Sequence, residues 1–269
     1  MAKINLGLNI VERRPDGYHN LETVFYPVPL TDSLEVTVSD SGDGCTTMLT
    51  GIAVEGDPQQ NLVTRAYRLL KEEYPWLPPV EARLHKAIPT QAGMGGGSSD
   101  GAAMLVMLNR LFALELSEQQ LIDRAARLGA DCPFFVTARP AYAEGIGERL
   151  MPIDLDLDGW WLCVVRPPIP VSTREAFANI RPQRPLRNCR DVVMQPVETW
   201  RNTLVNDFEA SVFIQYPAIG ALKSRLYDMG AVYAAMSGSG SAVFGLFREP
   251  PLTEALPTGN GMFTTIVRL

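Results

Sequence analysis

Strict alternation of apolar side chains opens the chain. Apolar residues occupy every second position from residue 2 to residue 10, and a period of two predicts a β-strand with one apolar face. The apolar positions are Ala2, Ile4, Leu6, Leu8 and Ile10, and the positions between them are Lys3, Asn5, Gly7 and Asn9. The second face has two interpretations. It either meets solvent, or it directs the cation of Lys3 and the amide of Asn5 into a cleft.

Along the rest of the chain, apolar residues recur at helical spacing in some segments and at strand spacing in others. Apolar residues at helical spacing from Leu62 to Leu70 predict a helix from residue 61 to about Tyr74. Ser117, with Gln120 three positions later, predicts a capping box at the start of a helix that ends at Gly129. Further helices are predicted at 174–180, 191–200, 207–215 and 218–229. Strands are predicted at 24–26, 34–38, 46–52, 80–88, 141–144, 160–166, 231–235, 242–247 and 263–267.

This order of elements indicates an α/β (α+β) fold. A length of 269 residues allows two modest domains. The composition changes near residue 152, where an acidic connector begins. We therefore predict an N-terminal domain at 1–151 and a C-terminal domain at 152–269.

The most informative segment is the glycine-rich stretch from Pro89 to Ala103. Four glycines fall within five positions, two serines and Asp100 follow, and an apolar helical run comes next. A glycine loop that enters a helix predicts a phosphate-binding site, because the first helical turn has unpaired N–H groups and a partial positive charge. Ser98, Ser99 or Asp100 is predicted to cap the helix. A simple chain reversal is the alternative. The loop lacks the lysine of a Walker A loop and the acidic partner of a dinucleotide fingerprint.

Other candidate residues lie in short polar connections. Tyr18 and His19 follow a Pro-Asp-Gly turn, where they either support the fold or contact a flat ring. Asp131 lies on a tight connection between two predicted helices, where it is either a helix cap or a functional carboxylate. Lys86 precedes the glycine loop, as a surface lysine or as a nucleotide contact. A second glycine-serine loop, at 236–241, joins two predicted strands and is either a hairpin loop or a ligand contact.

Composition excludes several classes of function. The net charge of −6 argues against a nucleic-acid-binding surface. Neither a signal peptide nor a membrane span is predicted, because no apolar run approaches 18 residues. The four cysteines lack CxxC spacing, which favours reduced thiols in a cytoplasmic protein over a zinc site. Nothing in the sequence specifies an oligomeric state.

Three motifs together resemble the GHMP small-molecule kinases. Pro89–Ala102 is similar to the central motif of that family, Ala2–Leu6 to the first and Ser237–Phe244 to the third, in family order. Asp16–His19 and Leu128–Phe134 most resemble members whose acceptor alcohol carries a cytidine diphosphate. Met94 stands where the family usually has leucine, and Gly101 where it has alanine. The latter change costs about 1 kcal/mol of helix propensity.

The resemblance implies a fold and a set of roles. The fold would be the two-domain GHMP kinase fold, with a ribosomal-S5-like N-terminal half and a ferredoxin-like C-terminal half. ATP would be the phosphoryl donor, with Mg²⁺. Asp131 would act as base with Lys3 as its partner. The residues expected to bind the nucleotide are Pro89, Gly93, Met94, Gly95, Gly96, Gly97, Ser98, Ser99, Asn61 and Lys86, and those expected to bind the acceptor are Asn5, Tyr18, His19 and Phe177. The resemblance assigns no metal ligand among Ser98, Ser99 and Asp131.

Two alternatives stay open. The chain could be a GHMP kinase for another alcohol, such as mevalonate, phosphomevalonate or homoserine. The pair Tyr18 and His19 argues against this, because a small acceptor without a base needs no aromatic clamp. The chain could also be a nucleotide-binding regulatory module without catalytic activity, although the presence of both Lys3 and Asp131 favours an enzyme.

Overall fold

Two compact units make up the structure. The computed structural model describes residues 1–54, 56–178, 180–252, 254, 256–259 and 261–269. The first unit comprises residues 1–2, 30–90 and 95–139, and the second comprises 3–29, 91–94 and 140–269. The glycine loop contributes to both, with residues 91–94 in the second unit and the helix that follows in the first. The predicted boundary between two domains at residue 151 stays a prediction.

Within its described residues, the first unit combines three strands with four helices. The strand order is β3-β5-β4, in which β5 runs antiparallel to β3 and parallel to β4. The strands are β3 (Ser33–Val38), β4 (Cys45–Gly51) and β5 (Val80–Lys86). The helices are α1 (Leu62–Glu73), α2 (Gly96–Leu111), α3 (Glu118–Leu128) and α4 (Phe134–Thr137), and a 3-10 turn spans Pro58–Gln60.

Apolar side chains from three helices and the sheet form the core of this unit. The predicted capping box is confirmed, because the Ser117 side chain accepts from the Gln120 N–H and the Gln120 side chain accepts from the Ser117 N–H. Gly101 lies where α1 and α2 pack closely. A Cβ atom there would lie 2.9 Å from Leu62 Cβ, so the glycine permits this approach.

The second unit contains two four-stranded sheets. The first has the order β1-β2-β6-β7, from β1 (Ala2–Arg13), β2 (His19–Val28), β6 (Ala141–Glu144) and β7 (Arg149–Pro152). The second has the order β11-β8-β10-β9, from β8 (Trp161–Arg166), β9 (Tyr233–Met236), β10 (Val243–Phe247) and β11 (Phe263–Arg268). All neighbours in this second sheet run antiparallel.

Helices of the second unit pack with its sheets. They are α5 (Thr173–Ala178), α6 (Cys189–Val193), α7 (Glu209–Gln215) and α8 (Pro217–Asp228). The prediction of one helix at 191–200 is wrong. The chain forms the short α6 and then a 3-10 turn at Val197–Asn202, because Pro196 interrupts the helix. The prediction also omitted β7.

The first strand is buried on both faces. Lys3, Asn5 and Asn9 are at most 5% exposed, and the apolar residues between them are equally covered. The interpretation of this polar face as solvent-exposed is therefore wrong. Burying a cation and two amides is costly unless hydrogen bonds compensate, so these residues must have polar partners.

The loop at 236–241 joins β9 to β10 as an antiparallel hairpin. Asn206 holds this loop, because its Nδ2 donates to the carbonyl oxygens of Met236 and Gly238, both at 2.8 Å. Its Oδ1 accepts from the Phe208 N–H at 3.0 Å. The side chain is 3% exposed. Asn206 therefore fixes the conformation of the glycine-serine loop from within the core.

Replacing Asn206 by alanine should destabilise the protein and release this loop. The change leaves two carbonyl oxygens and one N–H buried without their partner, at a cost of about 2–3 kcal/mol. We expect a lower midpoint of thermal denaturation and faster hydrogen exchange at residues 237–241. The matched control is Asn202→Ala, which alters an exposed asparagine of the preceding 3-10 turn. Equal effects from both variants would contradict the assigned role.

Candidate active site

The glycine loop enters α2 through Gly95. This residue has φ +70°, in the left-handed region, and precedes the first helical residue, Gly96. The prediction that Ser98, Ser99 or Asp100 caps the helix is wrong, because the capping residue is Gly95 and all three lie inside the helix. Gly95 supplies no side-chain acceptor. The first intrahelical bond runs from the Ser99 N–H to the Gly95 carbonyl at 2.9 Å. The N–H groups of the three preceding residues therefore have no acceptor within the helix, as an anion site requires.

A cavity of about 200 Å³ adjoins this helical turn within the first unit. It is lined by Leu49, Val54, Gly56, Asp57, Pro58, Gln60, Asn61, Leu62, Lys86, Thr90, Gly97 and Asp100. The Asn61 side chain also caps α1, since its Oδ1 accepts from the Val63 N–H at 2.9 Å. Two residues predicted to bind the nucleotide, Asn61 and Lys86, thus line one cavity together with Gly97.

Two carboxylates of the protein form ion pairs with Lys86. It is 2% exposed, and its Nζ contacts Asp32 and lies 2.7 Å from Asp100 Oδ2. Burial raises the pKa of Asp100 to about 7, although Lys86 acts against this increase. Burial also acts to raise the pKa of Asp32, but hydrogen bonds from Lys86, Ile88 and Ala87 outweigh it and the pKa is lowered. The surface-lysine interpretation of Lys86 is therefore wrong.

Asp131 lies on the connection between α3 and α4, as predicted from the sequence. Its neighbour Cys132 is fully buried, and its thiol interacts with the Ser98 side chain in the first turn of α2. Burial raises the pKa of this thiol to about 11. Contact between Cys132 and Ser98 brings the Asp131 connection next to the N-terminus of α2. The carboxylate is half-buried.

Lys3 and Asn5 begin a chain of buried hydrogen bonds in the second unit. Lys3 Nζ donates to Asn5 Oδ1 at 2.6 Å, and Asn5 Nδ2 donates to Thr23 Oγ1 at 2.9 Å. The Thr23 hydroxyl donates in turn to the Gly7 carbonyl at 2.5 Å. The Lys3 ammonium also lies 5.0 Å from the centre of the Phe25 ring. Lys3 is thus held in a defined position by β1 and β2.

Segments from all three motifs meet in the second unit. The Ser237 hydroxyl donates to the Gly93 carbonyl at 2.8 Å and accepts from the Asn5 N–H at 3.3 Å. The Lys3 N–H donates to the carbonyl of Met94, which is itself buried, at 2.9 Å. Gly93 has φ +70°, and a Cβ atom there would collide with the Ser237 carbonyl oxygen. The glycine-serine loop is therefore both a hairpin loop and a support for the glycine-rich loop.

His19 and Phe177 stack on each other, with ring centroids 4.7 Å apart and an interplanar angle of 19°. Phe177 also meets Phe208 edge to face at 4.8 Å. Burial, followed by the charge of Arg13, lowers the pKa of His19. Tyr18 is 62% exposed and does not line the adjoining cavity. The structure thus brings together two of the three aromatic residues predicted to contact the acceptor.

A cavity of about 440 Å³ adjoins this stack. It is lined by Arg13, His19, Arg174, Phe177, Ala178, Ile180, Arg181 and Pro182. No ion pair with a carboxylate of the described residues forms at any of its three arginines. An aromatic wall beside three guanidinium groups suits a ligand that carries a flat ring and negative charge.

Sequence reasoning missed two residues that organise these regions. Asn206 pins the glycine-serine loop, and Asp32 binds Lys86. The signal for Asn206 was an Asn-Asp pair set between apolar residues, and the signal for Asp32 was a single acidic residue just before a strand.

Within the described ranges, no group of three or more His, Cys, Asp or Glu side chains is placed to hold a metal ion. None of the helices in those ranges has the length and hydrophobicity needed to cross a membrane.

The chain is similar to known proteins at the level of family, sequence and structure. The family model for the GHMP kinases N terminal domain matches residues 61–139, and the model for the GHMP kinases C terminal domain matches residues 195–256. A 4-diphosphocytidyl-2-C-methyl-D-erythritol kinase from Bacteroides fragilis is 54% identical over 247 residues, covering 91% of this chain and 90% of the relative. The enzyme of that name from Bacteroides thetaiotaomicron is 51% identical, covering 97% and 96%.

Solved structures agree with these matches. The crystal structure of a 4-(cytidine 5'-diphospho)-2C-methyl-D-erythritol kinase is 36% identical, with a TM-score of 0.78, covering 91% of this chain and 87% of that one. A homoserine kinase from Cytophaga hutchinsonii shares the fold at 16% identity, with a TM-score of 0.68 and coverage of 99% and 93%. The chain belongs to the GHMP kinase family.

Proposed function

We propose that this protein is a 4-diphosphocytidyl-2-C-methyl-D-erythritol kinase. It would transfer the γ-phosphoryl group of ATP to the 2-hydroxyl of the erythritol moiety, a step of non-mevalonate isoprenoid precursor biosynthesis. The observation that carries the proposal is the 54% identity, over nine-tenths of both chains, to a relative that bears this name. The free cysteine thiols are consistent with a reducing compartment, and we propose the cytoplasm as its location.

The cavity beside the His19–Phe177 stack supports a cytidine diphosphate acceptor. A pyrimidine ring can stack on an aromatic face, and an imidazole can donate to or accept from the edge of a base. The arginines of this cavity would attract the diphosphate, because guanidinium groups pair well with phosphate oxygens. Asn5 and Tyr18 stay proposed acceptor contacts. Mevalonate and homoserine have neither a base nor a diphosphate, so this cavity favours the larger acceptor.

The first turn of α2 supports the binding of ATP. Its free N–H groups and the helix dipole favour a triphosphate, and the neighbouring cavity lined by Asn61 would take part of the nucleotide. The loop residues Pro89, Gly93 and Met94 and the first-turn residues Gly95–Ser99 form this proposed nucleotide site. Ser98 and Asp131 supply oxygen donors of the kind that fits Mg²⁺, an ion that takes few protein ligands when phosphate is present. When bound, Mg²⁺ would neutralise charge on the phosphates.

Asp131 and Lys3 are the proposed catalytic residues. The acceptor oxygen forms a bond to the γ-phosphorus as the bond to the bridging oxygen of ADP breaks, and Asp131 accepts the proton of the hydroxyl. An ammonium group stabilises the negative charge that develops on the transferred group. Lys3 would fill this role, and its bond to Asn5 supports its orientation.

An acceptor comparison tests the proposed function. ADP release would be measured with ATP and Mg²⁺ in the presence of 4-diphosphocytidyl-2-C-methyl-D-erythritol, mevalonate or homoserine. We expect release only with the cytidyl acceptor, because only that acceptor matches the arginine-lined cavity. Release with another alcohol would refute the proposed substrate. Folded protein that binds ATP and releases no ADP with any acceptor would indicate a regulatory module.

Asp131→Asn should lower kcat at least a thousandfold, because the amide cannot accept the hydroxyl proton. Circular dichroism should show an unchanged fold. Asp123→Asn is the matched control, since Asp123 is an exposed aspartate of α3 in the same unit, where it accepts from Gln119 Nε2 at 2.9 Å. Steady-state kinetics of both variants measures the effect. Near-normal kcat in folded Asp131→Asn protein would remove Asp131 from the proposed mechanism.

Phe177→Ala should raise KM for the cytidyl acceptor at least tenfold and leave KM for ATP within twofold. The reason is that the change removes the ring that stacks on His19 and closes one wall of the cavity. Phe213→Ala serves as control, because it removes a partly buried ring of the same unit that lies outside this cavity. An equal increase in both KM values, or none, would argue against an acceptor site at Phe177.

A further inference from the structure

A buried cluster of three charged residues lies at the base of the glycine loop. Lys86 is the last residue of β5, Asp32 precedes β3, and Asp100 is the fifth residue of α2. Their side chains are 2%, 2% and 6% exposed. Lys86 Nζ contacts both carboxylates, with 2.7 Å to Asp100 Oδ2. The three residues belong to separate parts of the first unit, and the ammonium joins them.

Asp32 also binds the chain at the entry to the loop. Its Oδ1 accepts from the Ala87 N–H at 2.6 Å and from the Ile88 N–H at 2.9 Å, while Oδ2 meets Lys86. Asp100 lies at the other end, where the loop has become helix. The cluster therefore ties the residues that enter the loop to the helical turn that leaves it.

The exit of the loop packs on the same cluster. A Cβ atom at Gly96 would lie 2.9 Å from Ile88 Cγ2 and 3.3 Å from Lys86 Nζ. The first residue of α2 must therefore be small, so that the helical turn can settle on the end of β5. This contact fixes the position of Gly96, and of the N–H groups beside it, relative to Lys86.

The balance of charge favours a structural use of the lysine. One ammonium faces two buried carboxylates, and burial raises the pKa of Asp100 to about 7 although Lys86 acts against this increase. Removing the ammonium would leave both carboxylates without their cation, which is strongly destabilising for a buried pair. Lys86 thus has a role in holding the protein together that does not require a nucleotide.

We infer that Lys86 is a positioning residue that, with Asp32 and Asp100, holds the two ends of the glycine loop at a fixed separation. The first-turn N–H groups of α2 are thereby kept in place for a phosphate-bearing ligand. In this inference Lys86 acts on that ligand through the loop, whereas the family resemblance implies a direct contact. The inference rests on the proposed function only in that the ligand is ATP or ADP.

Four variants distinguish a lysine that positions the loop from one that contacts the nucleotide directly. Their affinity for ADP would be measured by calorimetry. Lys86→Met and Asp100→Ala should each raise Kd for ADP at least tenfold. Asp100→Asn should stay within threefold of wild type, because the amide oxygen still accepts from Lys86 Nζ. Lys71→Met is the matched control, since Lys71 lies in the same unit and its Nζ donates to the Pro75 carbonyl at 2.8 Å, away from the loop. It should leave Kd unchanged.

Hydrogen exchange of the amides of residues 99–103 without ligand supplies the second measurement, because the Ser99 N–H makes the first hydrogen bond of α2, to the Gly95 carbonyl. These amides should exchange at least tenfold faster in Asp100→Ala than in Asp100→Asn, while the amides of β5 and α3 stay equally protected. This comparison decides the inference even if Lys86→Met does not fold. It also decides the inference if wild-type protein binds no ADP, a result that would refute the proposed function instead.

Two results would overturn the inference. Weaker ADP binding in Lys86→Met, with normal binding and normal exchange in Asp100→Ala, would show that Lys86 contacts the nucleotide directly. Equal exchange at residues 99–103 in Asp100→Ala and Asp100→Asn would show that the cluster does not hold the start of α2.

Discussion

The unpaired N–H groups in the first turn of α2 are the constraint around which the loop is built. A helix start normally receives a side-chain acceptor from its capping residue, and Gly95 has none to give. An anion can take the place of the missing cap, because these donors and the helix dipole both favour negative charge. Such an arrangement binds phosphate well only if the donors are already held in place, since ordering a loop on binding reduces affinity.

Different interactions restrain different parts of the loop. In the second unit, Ser237 holds Gly93 by a hydrogen bond, and Asn206 fixes the backbone that carries Ser237. In the first unit, Asp32 and Lys86 hold the chain before and after the loop. All of these restraints use buried polar groups. A buried polar group that loses its partner is strongly destabilising. These networks therefore favour one conformation of the loop, and replacing any of their members lowers stability.

Much of the fold and some of the site follow from local patterns in the sequence. The strand at residue 2, the helix from Leu62 and the capping box at Ser117 depend on neighbours within a few positions. The phosphate loop is predictable for the same reason, because glycine content and the helix that follows both lie in one segment.

Interactions between distant segments could not be predicted in this way. Lys86 meets Asp32 across 54 positions, and Asn206 meets Gly238 across 32. No local pattern distinguishes a lysine that contacts a nucleotide from one that pairs with two buried carboxylates. The prediction of the residue that caps α2 was wrong for a related reason. Serine and aspartate are favoured at caps in general, but here the left-handed conformation of Gly95 starts the helix earlier.

Identification of the reaction product tests the central claim most directly. Purified protein would be incubated with ATP, Mg²⁺ and 4-diphosphocytidyl-2-C-methyl-D-erythritol, and the mixture followed by ³¹P NMR. The account predicts a new phosphomonoester signal from a phosphoryl group attached to the erythritol moiety. This signal should grow in step with ADP while the diphosphate signals of the acceptor persist. Conversion of ATP to ADP and free phosphate alone, with no new phosphomonoester, would contradict it.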